Sequence, residues 1–429
     1  MASVSDQLTS AVREPGRAPA YRVLHVLDHS WPVLSGYSIR SRSLITAQAS
    51  IGLLPTVLTG PLHQLEDNGL TDDVFDGIEY YRTPISGLTH GPALRKRVPV
   101  LRERSVVALL KKEILELAKR KKFDVIHAHS PALCGLGAAQ AAAKLGIPFV
   151  YEIRAFWEDG AVDQQRTTRK SLRYHLSRAL ETNVAKRADA VVGIAEHILH
   201  DMKSRGIAAA KLFHVPNGVD AAKFPPRPRD ARLAQELNLQ GEPVFGFIGT
   251  HYRFEGLAWL VRAAAELHRR GARFTMVFIG DGEDVGEINK TIAECKAGDY
   301  IRLLGRIPHD HIQRYYSVMD IMVYPRRKNR LTELVTPLKP LEAMSQSKAV
   351  MASDLPALRE LVVPEKTGLL FQWDDIGDFC RQAERLLSEP GLREKLGVEA
   401  RERVLEEKNW PVLAQRYRAV YAAVGAQKE

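Results

Sequence analysis

A chain of 429 residues is long for a single core and long enough for two domains of roughly 200 residues each. Its hydrophobic content of 45% and charged content of 26% are those of a globular chain in water, and no apolar run reaches the roughly 18 to 20 residues of a membrane span. The formal charge of +10 points to an anionic partner without saying which anion.

The first 18 residues mix Ser, Ala, Pro and Arg without an apolar core, so a mobile tail is expected there rather than a secretory signal. From about Tyr21 onward, short β-branched or apolar runs alternate with helical patterns. YRVLHVLDH, LPTVLTG, FDVIHAH, PFVYEI and ADAVVGIA come first. Between residues 95 and 122, eleven Lys and Arg face three Glu, with Val106, Val107, Leu110, Ile114 and Leu117 at helical spacing. That segment fits either a basic amphipathic helix on an anionic membrane surface or a surface helix whose apolar stripe faces its own core. No aromatic stacking platform accompanies the charge, so a nucleic-acid partner is not expected.

A Pro-rich break at 215–230 interrupts the alternation, which restarts with PVFGFIG, FTMVFIGDG, YIRLLGR, DIMVYP, KAVMAS and GLLF. The expected organisation is a Rossmann-like domain over 19–217, a second one over 218–410, and a last helix, 411–429, packing back on the first. Both would be doubly wound parallel sheets, with ligands in the cleft at the strands' carboxyl ends. The cysteines, Cys134, Cys295 and Cys380, are far apart and show neither metal spacing nor a disulfide framework, which fits a reducing cytoplasm.

Candidate chemistry follows the strand ends. Gly36, after the first strand, lets backbone amides approach a phosphate, or is an ordinary turn glycine. Neither G-x-G-x-x-G nor a P-loop is present, which disfavours an NAD enzyme or NTPase. In VIHAHS, His127 and His129 share one strand face; as metal ligands they would want a third partner, and His129 is otherwise a hydrogen-bonding or substrate residue. Arg154, Glu158 and Asp159 follow the next strand and could hold a hydroxyl-rich or anionic substrate, or form a structural ion pair. In the second half, Arg253 in GFIGTHYRFEGL and Arg326, Arg327, Lys328, Arg330 and Lys339 in YPRRKNRLTELVTPLKPLEAM gather cations where a diphosphate would need them. Pro337 and Pro340 are expected to exclude a regular helix before them and to hold the loop open. Glu342, in the first turn of the following helix, could accept both hydrogen bonds of a ribose diol, or simply favour the helix N-terminus.

The series HVLDHSWPVLSG, VIHAHS, VPNGVD, FIGT, VFIGDG, LGRIP, DIMVYP, LKPLEAM and ASDLPALRELV resembles the family-four retaining glycosyltransferases of the GT-B fold. YEIRAFWED, YRFEGL and RLTELVTPLKPLEAM are similar to a narrower group associated with exosortase and exopolysaccharide loci. The resemblance implies a nucleoside diphosphate sugar, UDP-linked or GDP-linked, as co-substrate, no metal and no other cofactor. It places Gly36, Gly249, Thr250, Arg253, Arg306, Ile307, Arg326, Thr336, Pro337, Leu338, Lys339 and Glu342 at the donor. It gives catalytic places to His129, Glu333, Arg253 and Lys339, and acceptor contacts to Arg154, Glu158 and Asp159. Transfer would go to a saccharide or lipid-linked acceptor, in the cytoplasm or at the inner membrane face. The chain departs from the pattern in three places. Thr250 and Glu255 stand where an arginine and a lysine are usual, so Arg253 is expected to supply the phosphate charge. Lys339 replaces a proline, and Leu334 occupies the place of the first of two carboxylates eight apart. A UDP-sugar 2-epimerase of the same fold and a non-catalytic sugar-nucleotide binding protein are the alternatives.

Overall fold

Runs such as Val244–Ile248 and Ala349–Ser353, buried at every position, are satisfied only inside parallel sheets covered on both faces. The computed structural model describes residues 20–33, 35–63, 72–84, 99–239, 241–308 and 311–425, and these form two such sheets. The first contains β1 (Arg22–Leu27), β2 (Leu54–Thr59), β3 (Asp72–Phe75), β4 (Ile78–Arg82), β5 (Val125–His129), β6 (Phe149–Ile153), β7 (Ala190–Gly193) and β8 (Leu212–His214). Its order is β3-β4-β2-β1-β5-β6-β7-β8, with β3 antiparallel to β4 and the other pairs parallel. The second contains β9 (Val244–Ile248), β10 (Thr275–Ile279), β11 (Ile301–Leu303), β12 (Ile321–Tyr324), β13 (Ala349–Ser353) and β14 (Leu369–Phe371), in the order β11-β10-β9-β12-β13-β14. Strand order reverses between β1 and β5 in one sheet and between β9 and β12 in the other, which is where doubly wound sheets open their ligand crevices. The β3–β4 hairpin and β8 were not anticipated, because β3 is mostly exposed and β8 has three half-buried residues, too short for an apolar run.

Period-two alternation divides the first sheet into two cores. Leu24, Val26, Ile126, Ala128, Tyr151 and Ile153 pack with the helices Pro99–Arg120 and Ala132–Leu145. Glycine at 137 permits that close approach: a Cβ there would lie 3.2 Å from the Leu110 side chain. Val106, Val107, Leu110, Ile114 and Leu117 are buried in the lobe, so of the two readings of this stripe the structure shows the one in which it faces its own core. Residues 95–98 of that segment, like the tail 1–18, lie outside the described residues. No helix among the described residues is long and apolar enough to cross a membrane.

On the sheet's other face, Val23, Val125, Val150 and Val192 pack with the helix Gly36–Ser50 and with Trp410, Leu413, Tyr417 and Tyr421 of the helix Trp410–Ala423. The chain passes between the lobes twice, side by side: the Val219 amide donates to the Lys408 carbonyl at 2.9 Å, and Val219 bridges to Asn409. The segment Arg330–Leu334 is a short helix, contrary to the loop expected before the prolines. Asn329 caps it, its Oδ1 accepting from the Thr332 amide at 3.0 Å, and Pro337 falls three residues beyond its end.

Candidate active site

At the second sheet's reversal point the chain turns sharply after β9. Gly249 has φ +146, a backbone conformation closed to most side chains, and a Cβ there would lie 2.2 Å from Cε of Lys339. Lys339 lies across this turn because the turn is glycine. Its Nζ donates to Glu255 Oε1 at 2.6 Å and to the Thr250 carbonyl at 3.3 Å, and it sits 4.6 Å from the centroid of the Phe247 ring. Glu255, 3% exposed, turns its other oxygen to Arg326 Nε at 3.6 Å, while Arg326 Nη1 donates to the Val335 carbonyl at 2.9 Å.

This row of Lys339, Glu255 and Arg326 accounts for one departure noted in the sequence. The cation comes from the other side of the turn: the ammonium arrives from the helix Lys339–Ser345, where a proline is usual, and the carboxylate at 255 is its buried counter-ion. Lys339 remains 19% exposed at its side chain, so its charge is held in place and still meets solvent. Arg253, the other cation expected at the phosphates, is placed differently. Arg253 is exposed, and its guanidinium makes no hydrogen bond or ion pair among the described residues. It faces Asp163 of the first lobe, whose carboxyl is pushed up by burial and pulled back by Arg327, Arg326 and Arg253.

Glu342 is half-buried in the first turn of the same helix and accepts from the Tyr316 hydroxyl at 3.1 Å. Burial pushes its carboxyl up to about 7, against the Tyr316 hydrogen bond and the Lys339 charge. A carboxyl raised in the folded state stabilises the protein fully below its unfolded value near 4.5, and that contribution is lost as pH rises through about 7. Glu342→Gln is therefore expected to gain stability over the parent between pH 5 and pH 8, by on the order of 2 kcal/mol, after allowance for the half-open side chain. Thermal melts at the two pH values check this; a parallel fall of both proteins would refute it.

The remaining expected donor residues are spread around this turn. Thr336 is locked to the first lobe: its carbonyl accepts from Asn217 Nδ2 at 2.7 Å and its hydroxyl donates to the Ile194 carbonyl at 3.3 Å. Pro337 and Leu338 are half-buried, Ile307 packs on the second core, and Arg306 is exposed at 3.6 Å from Asp281. Glu333 is half-buried, with no hydrogen bond or ion pair to its carboxylate among the described residues. Leu334 is buried in the first-lobe core, so the carboxylate site of the common pattern is here an apolar contact between lobes.

In the first lobe, Gly36 opens the helix Gly36–Ser50 behind the Ser35 cap, with free space where a Cβ would project. The other expected residues are not open to the gap. His129 is fully buried: Nε2 pairs with His25 Nδ1 at 3.0 Å, and Nδ1 lies 3.0 Å from Glu152 Oε1 and 2.8 Å from Arg154 Nη2. Arg154 donates to Glu152 at 2.9 Å and Ser41 at 2.7 Å, Glu158 accepts from Arg205 at 3.1 Å, and Asp159 accepts from Tyr174 at 2.8 Å and Arg330 at 3.0 Å. Burial demands such partners, so Arg154, Glu158 and Asp159 are internal ion pairs rather than the expected acceptor contacts, and His129 is one step behind the surface.

Sequence reasoning missed the centre of this network, Glu152. It accepts from Arg40 at 2.5 Å and from the Tyr417 hydroxyl of the last helix. Burial alone would raise its pKa, but Arg40, His129 and Arg154 together hold it well below the usual carboxylate range. Arg40 in turn donates to Asn217 at 2.7 Å, the residue that holds Thr336, so the network reaches the loop before the helix Lys339–Ser345. The signal was a glutamate inside the apolar run FVYEI, which must find cations once buried. His25 was missed too. His25, His127 and His129 bring ring nitrogens within 4.8 Å of one another. Burial keeps all three neutral, and two guanidiniums beside a single carboxylate make the cluster a costly place for a further dication.

A pattern for glycosyltransferase family 4 matches residues 70–223, and one for glycosyl transferases group 1 matches 242–389, one on each lobe. The chain is 25% identical over 357 residues to a GDP-mannose-dependent alpha-mannosyltransferase of Mycolicibacterium smegmatis, covering 82% of this chain and 84% of the relative. It is 27% identical over 307 residues to a 2-deoxystreptamine glucosyltransferase of Streptomyces kanamyceticus, covering 70% and 78%. Among solved structures, a sucrose-phosphate synthase from Thermosynechococcus elongatus superposes with a TM-score of 0.73 at 21% identity, covering 94% of this chain and 100% of that one. Anabaena HepE, in complex with UDP and glucose, superposes with a TM-score of 0.71 at 17% identity over 94% and 99%. The fold is GT-B, two facing parallel-sheet α/β domains. The chain is a glycosyltransferase.

Proposed function

We propose that this enzyme moves a hexosyl group from a nucleoside diphosphate sugar, UDP-linked in preference to GDP-linked, to a saccharide or lipid-linked saccharide acceptor, with retention at the anomeric carbon. The observation that carries the reading is Lys339, braced by Glu255 across the Gly249 turn at the sheet's reversal point, where a departing pyrophosphate would need fixed positive charge. Glu342, 3 residues further along the same helix turn, fits a ribose diol, and Gly36 leaves room for phosphate oxygens from the first lobe. Glu333, whose carboxylate has no partner among the described residues, would meet the sugar. The relatives named for GDP-mannose and glucosyl transfer, and the neighbour solved with UDP and glucose, support a sugar-nucleotide donor. The wording RLTELVTPLKPLEAM favours a place in exopolysaccharide or cell-surface glycan synthesis.

Ligands that bind the native state raise its melting temperature. UDP and UDP-sugars are expected to raise it by several degrees, GDP by less, and AMP not at all. A screen in which no nucleoside diphosphate shifts the melt would overturn the donor assignment, and conversion of a UDP-sugar without acceptor would favour the epimerase.

A further inference from the structure

Between the lobes, away from the Gly249 turn, lies a cavity of about 620 Å³. Four separate parts of the chain form it: the start of the helix Glu196–Ser204, His214 at the end of β8, the helix Pro356–Arg359 with Glu360, and Arg403, Lys408 and Arg416 where the chain returns to the first lobe. The cations here are not balanced from within. Arg403 is satisfied by Glu407 at 3.1 Å and by the Leu361 carbonyl at 2.9 Å. Lys408 is 7% exposed, yet its ammonium makes no hydrogen bond or ion pair among the described residues, and neither does the Arg416 guanidinium. His214 Nε2 is buried without a hydrogen bond, at 3.8 Å from Glu360. The Glu360 carboxylate is already engaged by the Glu196 amide at 3.0 Å and by His197 at 2.8 Å.

An unpaired ammonium buried beside two guanidiniums is costly, because burial removes its water and its neighbours repel it. The environment bears this out: burial, then Arg403 and Arg416, bring Lys408 down to about 8 against Glu407 and Glu360, and burial followed by Lys408 and Arg416 brings His214 down to about 3. Arg359, Arg403, Lys408 and Arg416 outnumber the two carboxylates of the lining, Glu196 and Glu360, and an excess of donors in a cavity of this size is what a small oxyanion requires.

We propose that this cavity is a binding site for a phosphate group, held by Lys408 and Arg416 and distinct from the donor site. Since His214 belongs to the first lobe and Arg403 and Lys408 follow the second, an anion here would tie the two lobes and the last helix together. Free phosphate or a phosphate ester and the headgroup of an anionic lipid share this chemistry.

The test uses the full-length protein at fixed ionic strength, with inorganic phosphate replacing chloride. The parent is expected to melt about 3 °C higher in saturating phosphate. Lys408→Met and Arg416→Gln should each lose most of that shift and keep the UDP-induced shift; Lys408→Met should also melt higher than the parent in chloride alone, having lost an uncompensated charge. Lys339→Ala should show the reverse, losing the UDP response and keeping the phosphate response, so the two sites can fail separately. Sedimentation with phosphatidylglycerol and with phosphatidylcholine vesicles separates the sources. Binding to the anionic vesicles that both variants lose, without a soluble phosphate shift, assigns the site to a lipid headgroup. A phosphate shift undiminished in both variants, or neither a phosphate shift nor anionic-vesicle binding in the parent, overturns the proposal.

Discussion

Lys339→Ala is expected to lower turnover of the sugar nucleotide about a hundredfold while the protein stays folded, because it removes a preorganised cation from the place where leaving-group charge develops. The substitution also strands Glu255, which is 3% exposed and would keep only Arg326 at 3.6 Å. A stability loss on the order of 1–3 kcal/mol should accompany it. The two effects separate in the double variant. Lys339→Ala combined with Glu255→Gln should recover most of the melting temperature, since no carboxylate remains to be neutralised, and should recover none of the activity. Steady-state kinetics and thermal melts on the same preparations check both. Turnover within twofold of the parent would show that Lys339 does not meet the pyrophosphate; activity restored together with stability would show that the single variant failed only through its fold.

Glu152→Ala is expected to cost about 3–5 kcal/mol, the largest stability effect of any single change considered, since it leaves the Arg40 and Arg154 guanidiniums buried around a void. Tyr417 loses its acceptor at the same time, so the damage should extend to the helix Trp410–Ala423. A fall in melting temperature of about 10 °C follows, with faster amide exchange in residues 410–423 than in the second lobe. Arg40→Met added to Glu152→Ala should recover part of the loss by removing one stranded cation. A melt within 2 °C of the parent would mean that water or rearrangement replaces the carboxylate, and that the network contributes little.

Much of the architecture was legible in short runs of sequence. VFGFI, TMVFI and AVMAS are buried at every position and almost wholly apolar, and runs of that kind, separated by helical stretches, form parallel sheets almost by default. Strands without that composition escaped: Asp72–Phe75 alternates exposed and half-buried positions, and Leu212–His214 is three residues long. The glycine at 249, the cations at 253, 326 and 339 and the glutamate at 342 were visible as residue types that suit a diphosphate and a ribose. What could not be seen was pairing. Lys339 and Glu255 are 84 positions apart, and nothing local indicates that a lysine at 339 pairs with a glutamate where a lysine is usual. His129, Arg154, Glu158 and Asp159 carried the right chemistry for a substrate, but their partners Glu152, Ser41, Arg205, Tyr174 and Arg330 are assembled only when the helices close over the sheet.

The sequence by itself determined the two sheets, their parallel sense and the strand ends at which chemistry could gather, because hydrophobic periodicity and glycine or proline at turns act over a few residues. Only the tertiary structure decided which polar groups remain available to a ligand. A charge becomes functional or structural according to whether folding leaves it facing water or supplies it with a partner from far along the chain. Lys339, braced yet open, fell on one side of that division, and Glu152, fully enclosed, on the other.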